Sequence, residues 1–170
     1  MRISEKGFTL IELLVALPIM ALAALAVGGA IYEIANGTGR NSNHLEAVLH
    51  VQGAGDQITK DVSRSQISTT TNLTTPVILT TSWVSGTTGD LHVISYTMET
   101  VSGSSMKTLY RKESINGAAN VTMMVAQDIE PTTSANYTGG IFTLTVTATV
   151  GGARERASET KTYQIVPRPD

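Results

Sequence analysis

The chain has 170 residues, a formal charge of −2, three histidines and no cysteine. These values exclude disulfide staples, thiol chemistry and cysteine metal centres, and no basic stripe interleaved with aromatics marks a nucleic-acid surface. About 135 residues remain beyond the first apolar segment, enough for one folded domain and too few for two.

The chain starts with a short charged leader, residues 1–7, which carries Arg2, Glu5 and Lys6 and ends in the small residue Gly7. Apolar sequence follows at once, broken only by Thr9, Glu12 and Pro18. Residues 13–31 are a run of 19 without a charge. As a helix that run is about 28 Å long, which matches a hydrocarbon core of about 30 Å. Arg2 and Lys6 precede it, so the N-terminus is expected in the cytoplasm and everything after about Arg40 across the membrane. An ionisable group in such a segment costs about 2.5–3.5 kcal/mol at a helix centre, which makes Glu12 a functional candidate.

Two other readings compete over the same residues. A secretory signal peptide also has a basic start and an apolar core, and Ala21, Ala23, Ala24 and Ala26 offer a small-residue cleavage site. Its core is usually about 7–15 residues, however, and gains nothing from a carboxylate. Thr9-Leu10-Ile11-Glu12 also has capping-box spacing, in which Thr caps the third amide and Glu reaches back to the first. A carboxylate in a first turn also suits the helix dipole. Pro18 removes one backbone hydrogen bond and predicts a kink over residues 14–18, which membrane helices tolerate. Ala21, Ala24 and Gly28, with the pair Ala26 and Ala30, form small-residue faces that allow close helix approach.

The stretch Lys6-Gly7-Phe8-Thr9-Leu10-Ile11-Glu12-Leu13-Leu14-Val15 resembles the N-terminal processing and methylation motif of type IV pilins and of type II secretion pseudopilins. The resemblance covers the leader and first helix, about a fifth of the chain. It implies cleavage between Gly7 and Phe8 by a membrane prepilin peptidase and methyltransferase, and N-methylation of Phe8. It also implies assembly with other pilin-like subunits, in which Glu12 pairs with a neighbour's terminal amine. Opposite charges of this kind attract most strongly where the dielectric is low. The protein would sit in membrane lipid before assembly, as a single pass of the cytoplasmic membrane with an extracytoplasmic head. The fold implied is α+β, a long N-terminal helix packed on an antiparallel sheet. Pilin helices commonly carry a helix-loosening proline, although later in the segment than Pro18.

Past the motif, the first helix is predicted over residues 8–35, and Asn36-Gly37-Thr38-Gly39-Arg40-Asn41-Ser42-Asn43 should loosen it, because each interior glycine costs about 1 kcal/mol. Leu45, Val48, Leu49, Gln52, Ile58 and Val62 recur at helical spacing. They predict an amphipathic stretch over residues 43–65, weakened at Gly53 and Gly55. Residues 63–75 are rich in serine and threonine and read as a surface loop. The chain thus divides into a leader (1–7), an apolar helix (8–35), an amphipathic helix with loop (36–75) and a β-rich head (76–170).

Within the head, strands are predicted over residues 77–84, 91–100, 107–115, 121–129, 141–150 and 161–166, separated by glycine-containing turns. In 91–100, His92, Ile94, Tyr96 and Met98 share one face. In 141–150, Phe142, Leu144, Val146, Ala148 and Val150 oppose Ile141 and a row of threonines. Such alternation predicts an antiparallel meander with one face on the helix.

No catalytic set emerges. His44, His50 and His92 read as solvent-facing, since His44 and His50 lack the spacing of three or four that aligns metal ligands on a helix. Asp56 and Asp61 read as helical surface carboxylates. Asp128 and Glu130 before Pro131 could join loop carbonyls around calcium, but the ordered oxygen-ligand pattern is missing. There is no nucleophile elbow and no phosphate loop. The sequons at Asn72, Asn120 and Asn136 read as chance, and Arg154, Arg156 and Lys161 as a solvated basic group. An enzyme and a cofactor are therefore not expected. Two functions remain: a structural fibre subunit, and a membrane-anchored β-domain that binds or adheres without forming fibres. Within the first, a minor pilin or pseudopilin is favoured, because residues 109–113 and 121–125 resemble stretches of the larger minor pseudopilins.

Overall fold

The computed structural model describes residues 9–65, 67–69, 77–153 and 155–167. Among these residues the fold is α+β: one helix, α1 (Leu10–Arg64), and an antiparallel sheet of eight strands. The strands are β1 (Ile67–Thr69), β2 (Val77–Val84), β3 (Leu91–Thr100), β4 (Lys107–Ile115), β5 (Val121–Ile129), β6 (Ser134–Thr138), β7 (Ile141–Val150) and β8 (Ala157–Ile165). The chain forms two compact units, Met1–Gly39 and Arg40–Asp170.

In the first unit α1 is leucine- and alanine-rich, which favours helix at nearly every position. Helix is assigned through Pro18 without a break. The loosening predicted over residues 36–43 does not occur, and helix continues through Asn36, Gly37 and Gly39. The Thr38 hydroxyl donates to the Ile34 carbonyl at 2.8 Å. Helix propagation is cooperative, so two glycines between strong helical segments are carried along.

In the second unit α1 buries Ala47, Val51, Ala54, Gly55, Ile58, Asp61 and Val62. These positions recur every three or four residues, as one helical face does. The predicted face is corrected in part: Leu45 and Leu49 are exposed, and small residues take their place on the sheet side. Gly55 explains why small is required. A Cβ there would fall inside the ring of Tyr163 on β8, whose hydroxyl donates to the Val51 carbonyl at 3.2 Å. Gly55 therefore sets the distance between helix and sheet rather than weakening the helix. Gly55→Ala should destabilise the head by about 1–3 kcal/mol through overpacking, despite the better helix propensity of alanine. Denaturant midpoints of Gly55→Ala in the parent and in a Tyr163→Ala background check this, the penalty shrinking when the ring is gone.

Strands β1 to β5 form an antiparallel meander. Strand β7 pairs β8 along one edge over Phe142–Val150. Its other edge is shared: β6 pairs at residues 141–145 and β5 at Ala148 alone. Strand β5 pairs β4 from Val121 to Ile129 with two slips of register, as bulges produce, and Ile129 at its end also pairs Ala148 of β7. Asp128 lies in this stretch with φ 53°, a left-handed conformation uncommon for a residue with a side chain. Strands β1 and β6 add to the predicted set; the surface loop predicted over 63–75 is corrected at Ser63 and Arg64, which end α1, and at 67–69, which form β1, while residues 66 and 70–75 lie outside the described residues. Strand β6 is anchored by Gly139 and Gly140, both at positive φ, in the tight hairpin turn such residues favour.

The core lies between α1 and one sheet face. Leu79, Ile94, Tyr96, Leu109, Phe142, Leu144 and Val146 are fully buried there against Val51, Ile58 and Val62. On the opposite face of β7 and β8, cross-strand hydroxyls pair, Thr145 with Thr162 at 3.2 Å and Thr147 with Thr160 at 2.9 Å. The predicted alternation of residues 141–150 is thus reproduced, with apolar side chains inward and threonines outward.

Candidate functional site

The described N-terminal residues begin with a complete capping box. Thr9 is the N-cap, and its carbonyl accepts from the Leu13 amide at 3.2 Å. The Thr9 hydroxyl accepts from the Glu12 amide at 3.4 Å. Glu12 reaches back, and its Oε2 accepts from both the Thr9 amide and the Thr9 hydroxyl at 2.9 Å. Two amides without intrahelical partners are satisfied reciprocally. The other carboxylate oxygen, Oε1, has no partner among the described residues. Glu12 can therefore cap the helix and still accept a hydrogen bond from an incoming cation. Gly7 and Phe8, the predicted cleavage and methylation positions, lie outside the described residues.

Beyond Glu12 the helix is long and apolar enough to cross a membrane. Every large apolar side chain from Leu10 to Ile34 is exposed, from 55% at Val15 to 82% at Leu10. A continuous apolar surface of this kind marks an interaction site or a membrane segment.

A second polar constellation lies in the head, and the sequence reading misplaced its members. Asp61 is not a surface carboxylate: it is 2% exposed. Arg111 on β4 donates to it through Nε at 2.6 Å and Nη2 at 3.3 Å, and the Tyr96 hydroxyl of β3 donates at 2.5 Å. The Nη1 group of Arg111 donates to Glu113 at 2.7 Å. His92 is not simply solvent-facing. Its Nδ1 lies 2.9 Å from Glu113 Oε1, and its ring stacks on Trp83 with centroids 5.3 Å apart. Burial and the neighbouring Asp61 charge push the Tyr96 hydroxyl well above its ordinary pKa, so it stays a donor. Burial opposes the charges of Arg111 and Glu113, yet their mutual hydrogen bond and those to Asp61 and His92 outweigh it. Arg111 is raised and Glu113 lowered, so both stay ionised. The signal for this cluster was in the sequence: His92, Tyr96, Arg111 and Glu113 all fall on the face of their strands that carries Ile94 and Leu109. Only the partner strand and helix phase were needed to join them.

The remaining candidates do not converge. His50 is partly buried, and its Nδ1 has no hydrogen-bond partner, with Asp128 at 3.9 Å. Glu130 accepts from Thr149 at 2.6 Å and lies 4.0 Å from Arg156. Asp128 and Glu130 thus engage different neighbours, and among the described residues no three histidine, cysteine or acidic side chains are grouped to hold a metal. Arg154 and Asn72 lie outside the described residues.

Residues 2–28 match the sequence family described as the prokaryotic N-terminal methylation motif. No curated protein and no solved structure matches the chain significantly. The motif supports a pilin-like precursor and points to a structural protein rather than an enzyme. With the apolar helix it fits membrane anchoring, and it implies processing by a prepilin peptidase and assembly with other pilin subunits.

Proposed function

We propose that the chain is a structural subunit, a minor pilin or pseudopilin, of a type IV pilus-like or type II secretion fibre. It enters the cytoplasmic membrane as a precursor with its N-terminus in the cytoplasm and its head outside. The leader, residues 1–7, is removed after Gly7, Phe8 becomes N-methylated, and residues 8–35 assemble with neighbouring subunits. The observation that carries this reading is the coincidence of the methylation motif with an exposed apolar helix whose first-turn carboxylate keeps one oxygen without a partner among the described residues. Lipid covers that helix before assembly, and the helices of other subunits cover it afterwards. An anchored binding module would carry the same helix but would leave it in lipid.

Gly7→Val tests the processing step. The parent protein, extracted from membranes, should have a mature N-terminal peptide starting at Phe8. The variant should accumulate as precursor starting at Met1, because a branched side chain at the scissile position obstructs a peptidase that reads a small residue. A parent terminus at Met1, or one within the alanine-rich segment, would defeat the proposal. Mechanical shearing separates the two functions: the subunit appears in the sheared fraction if it assembles and stays with the membrane if it only anchors.

A further inference from the structure

A cleft of about 600 Å³ opens where α1 ends, lined by Ser63, Arg64, Trp83, His92, Arg111 and Glu113 among others. That volume falls within the range of about 300–1,000 Å³ common to small-molecule sites. Its wall is fixed in successive layers. Trp83 is stacked on His92, His92 is held by Glu113, Glu113 by Arg111, and Arg111 by the buried Asp61. Such nested support preorganises a binding surface.

The groups left over define the ligand. Both carboxylates are already satisfied by Arg111, Tyr96 and His92. Arg64, in the last turn of α1, has no hydrogen bond or ion pair among the described residues. It is a planar cation suited to two parallel hydrogen bonds with a carboxylate. The Trp83 indole N–H is likewise a donor without a partner among the described residues. Glu113 as a carboxylate only accepts, so His92 carries a proton on Nδ1 towards it and Nε2 is the remaining polar atom of the ring. A ligand therefore suits the cleft if it presents an anionic group to Arg64, hydroxyls, which both donate and accept, to His92, and a flat apolar face or further acceptors to Trp83. Inorganic anions lack the flat apolar face, and neutral sugars lack the charge.

We propose that this cleft binds an acidic saccharide, its carboxylate on Arg64 and its hydroxyls at His92 and Trp83. The site goes beyond the assembly role of the N-terminal helix and does not depend on it. Trp83 is the one tryptophan of the chain, so intrinsic fluorescence reports on the cleft directly. The full chain in detergent micelles is titrated with digalacturonate and with a glucuronate-containing disaccharide. Galactobiose serves as the neutral comparison and tetra-aspartate as the acidic peptide. At least one acidic disaccharide should give a saturable change, with galactobiose weaker. Arg64→Gln should weaken binding about tenfold or more, as loss of a charge-assisted bidentate contact does. Arg64 is exposed, so the variant should keep the thermal midpoint of the parent, which separates lost binding from lost fold. Absence of a saturable change with either acidic disaccharide overturns the proposal, as does equal binding of galactobiose, tighter binding of tetra-aspartate, or unchanged affinity in Arg64→Gln.

Discussion

Arg111→Ala should lower the stability of the head by about 3–5 kcal/mol, the range found when one partner of a buried ion pair is removed. The loss arises less from the missing contacts than from what remains. Asp61 would stay 2% exposed with only the Tyr96 hydroxyl as donor, and Glu113 would keep only His92. Asp61 and Tyr96 join the helix to the third strand, and Arg111 joins both to the fourth, so the defect sits where three elements meet. Thermal denaturation followed by circular dichroism should show a midpoint lower by roughly 10 °C or more, given about 2–8 °C per kcal/mol for domains near this size. Arg111→Met combined with Asp61→Leu and Tyr96→Phe should recover much of the loss, because apolar replacement removes the desolvation costs of the pair and leaves no buried hydroxyl without an acceptor. A small shift in Arg111→Ala would mean that solvent reaches Asp61.

The same network predicts acid sensitivity. Glu113 titrates below its ordinary value in the folded head, so the unfolded chain takes up its proton first as pH falls. Its contribution to stability is full above the unfolded carboxylate pKa of about 4.3 and is lost as pH falls through the lower folded value. Arg111→Ala should flatten that part of the stability profile.

Patterns local to a few residues were legible before any coordinates. Alternation marks strands 91–100, 107–115 and 141–150, a β-branched run marks 77–84, glycine-containing turns bound 121–129 as well, and the structure has the same bounds for all five. The capping box was likewise written in the spacing of Thr9 and Glu12. What escaped was set by partners distant in sequence. Asp61 looks like any surface carboxylate until β4 brings Arg111 beside it, 50 residues on. Gly55 looks like a helix breaker until Tyr163 lies across it. Leu45 and Leu49 satisfy helical periodicity as well as Ala47 and Val51 do, and only the close approach of the sheet selects the small pair. Strand β6 is short, and most of its residues are exposed, so it lacked the apolar alternation that reveals a strand.

Glu12→Gln should leave synthesis, membrane insertion and cleavage intact and reduce incorporation into fibres by roughly a hundredfold or more. The glutamine carbonyl can still accept from the Thr9 amide and hydroxyl, so the cap survives with nearly the same shape. Insertion survives because Glu12 lies in the first turn, where the side chain reaches the interface or local water. Assembly differs because packed helices exclude that water. The terminal amine of the neighbouring subunit, freed by cleavage, would face a neutral amide, and an unpaired charge in such a place costs about 3–5 kcal/mol. Each 1.4 kcal/mol is a factor of ten, which gives the stated range. In the proposed assembly this amine would meet Oε1 of Glu12, which has no partner among the described residues, so the cap and the assembly contact would use different oxygens of one carboxylate. Co-expression with the parent chain makes the measurement a competition: the ratio of the two forms in sheared fibres is compared with their ratio in the membrane. Equal ratios would reduce Glu12 to a helix cap and remove the basis for axial register. Depletion of the Gln form from fibres, with normal cleavage in the membrane pool, would assign the charge itself to assembly.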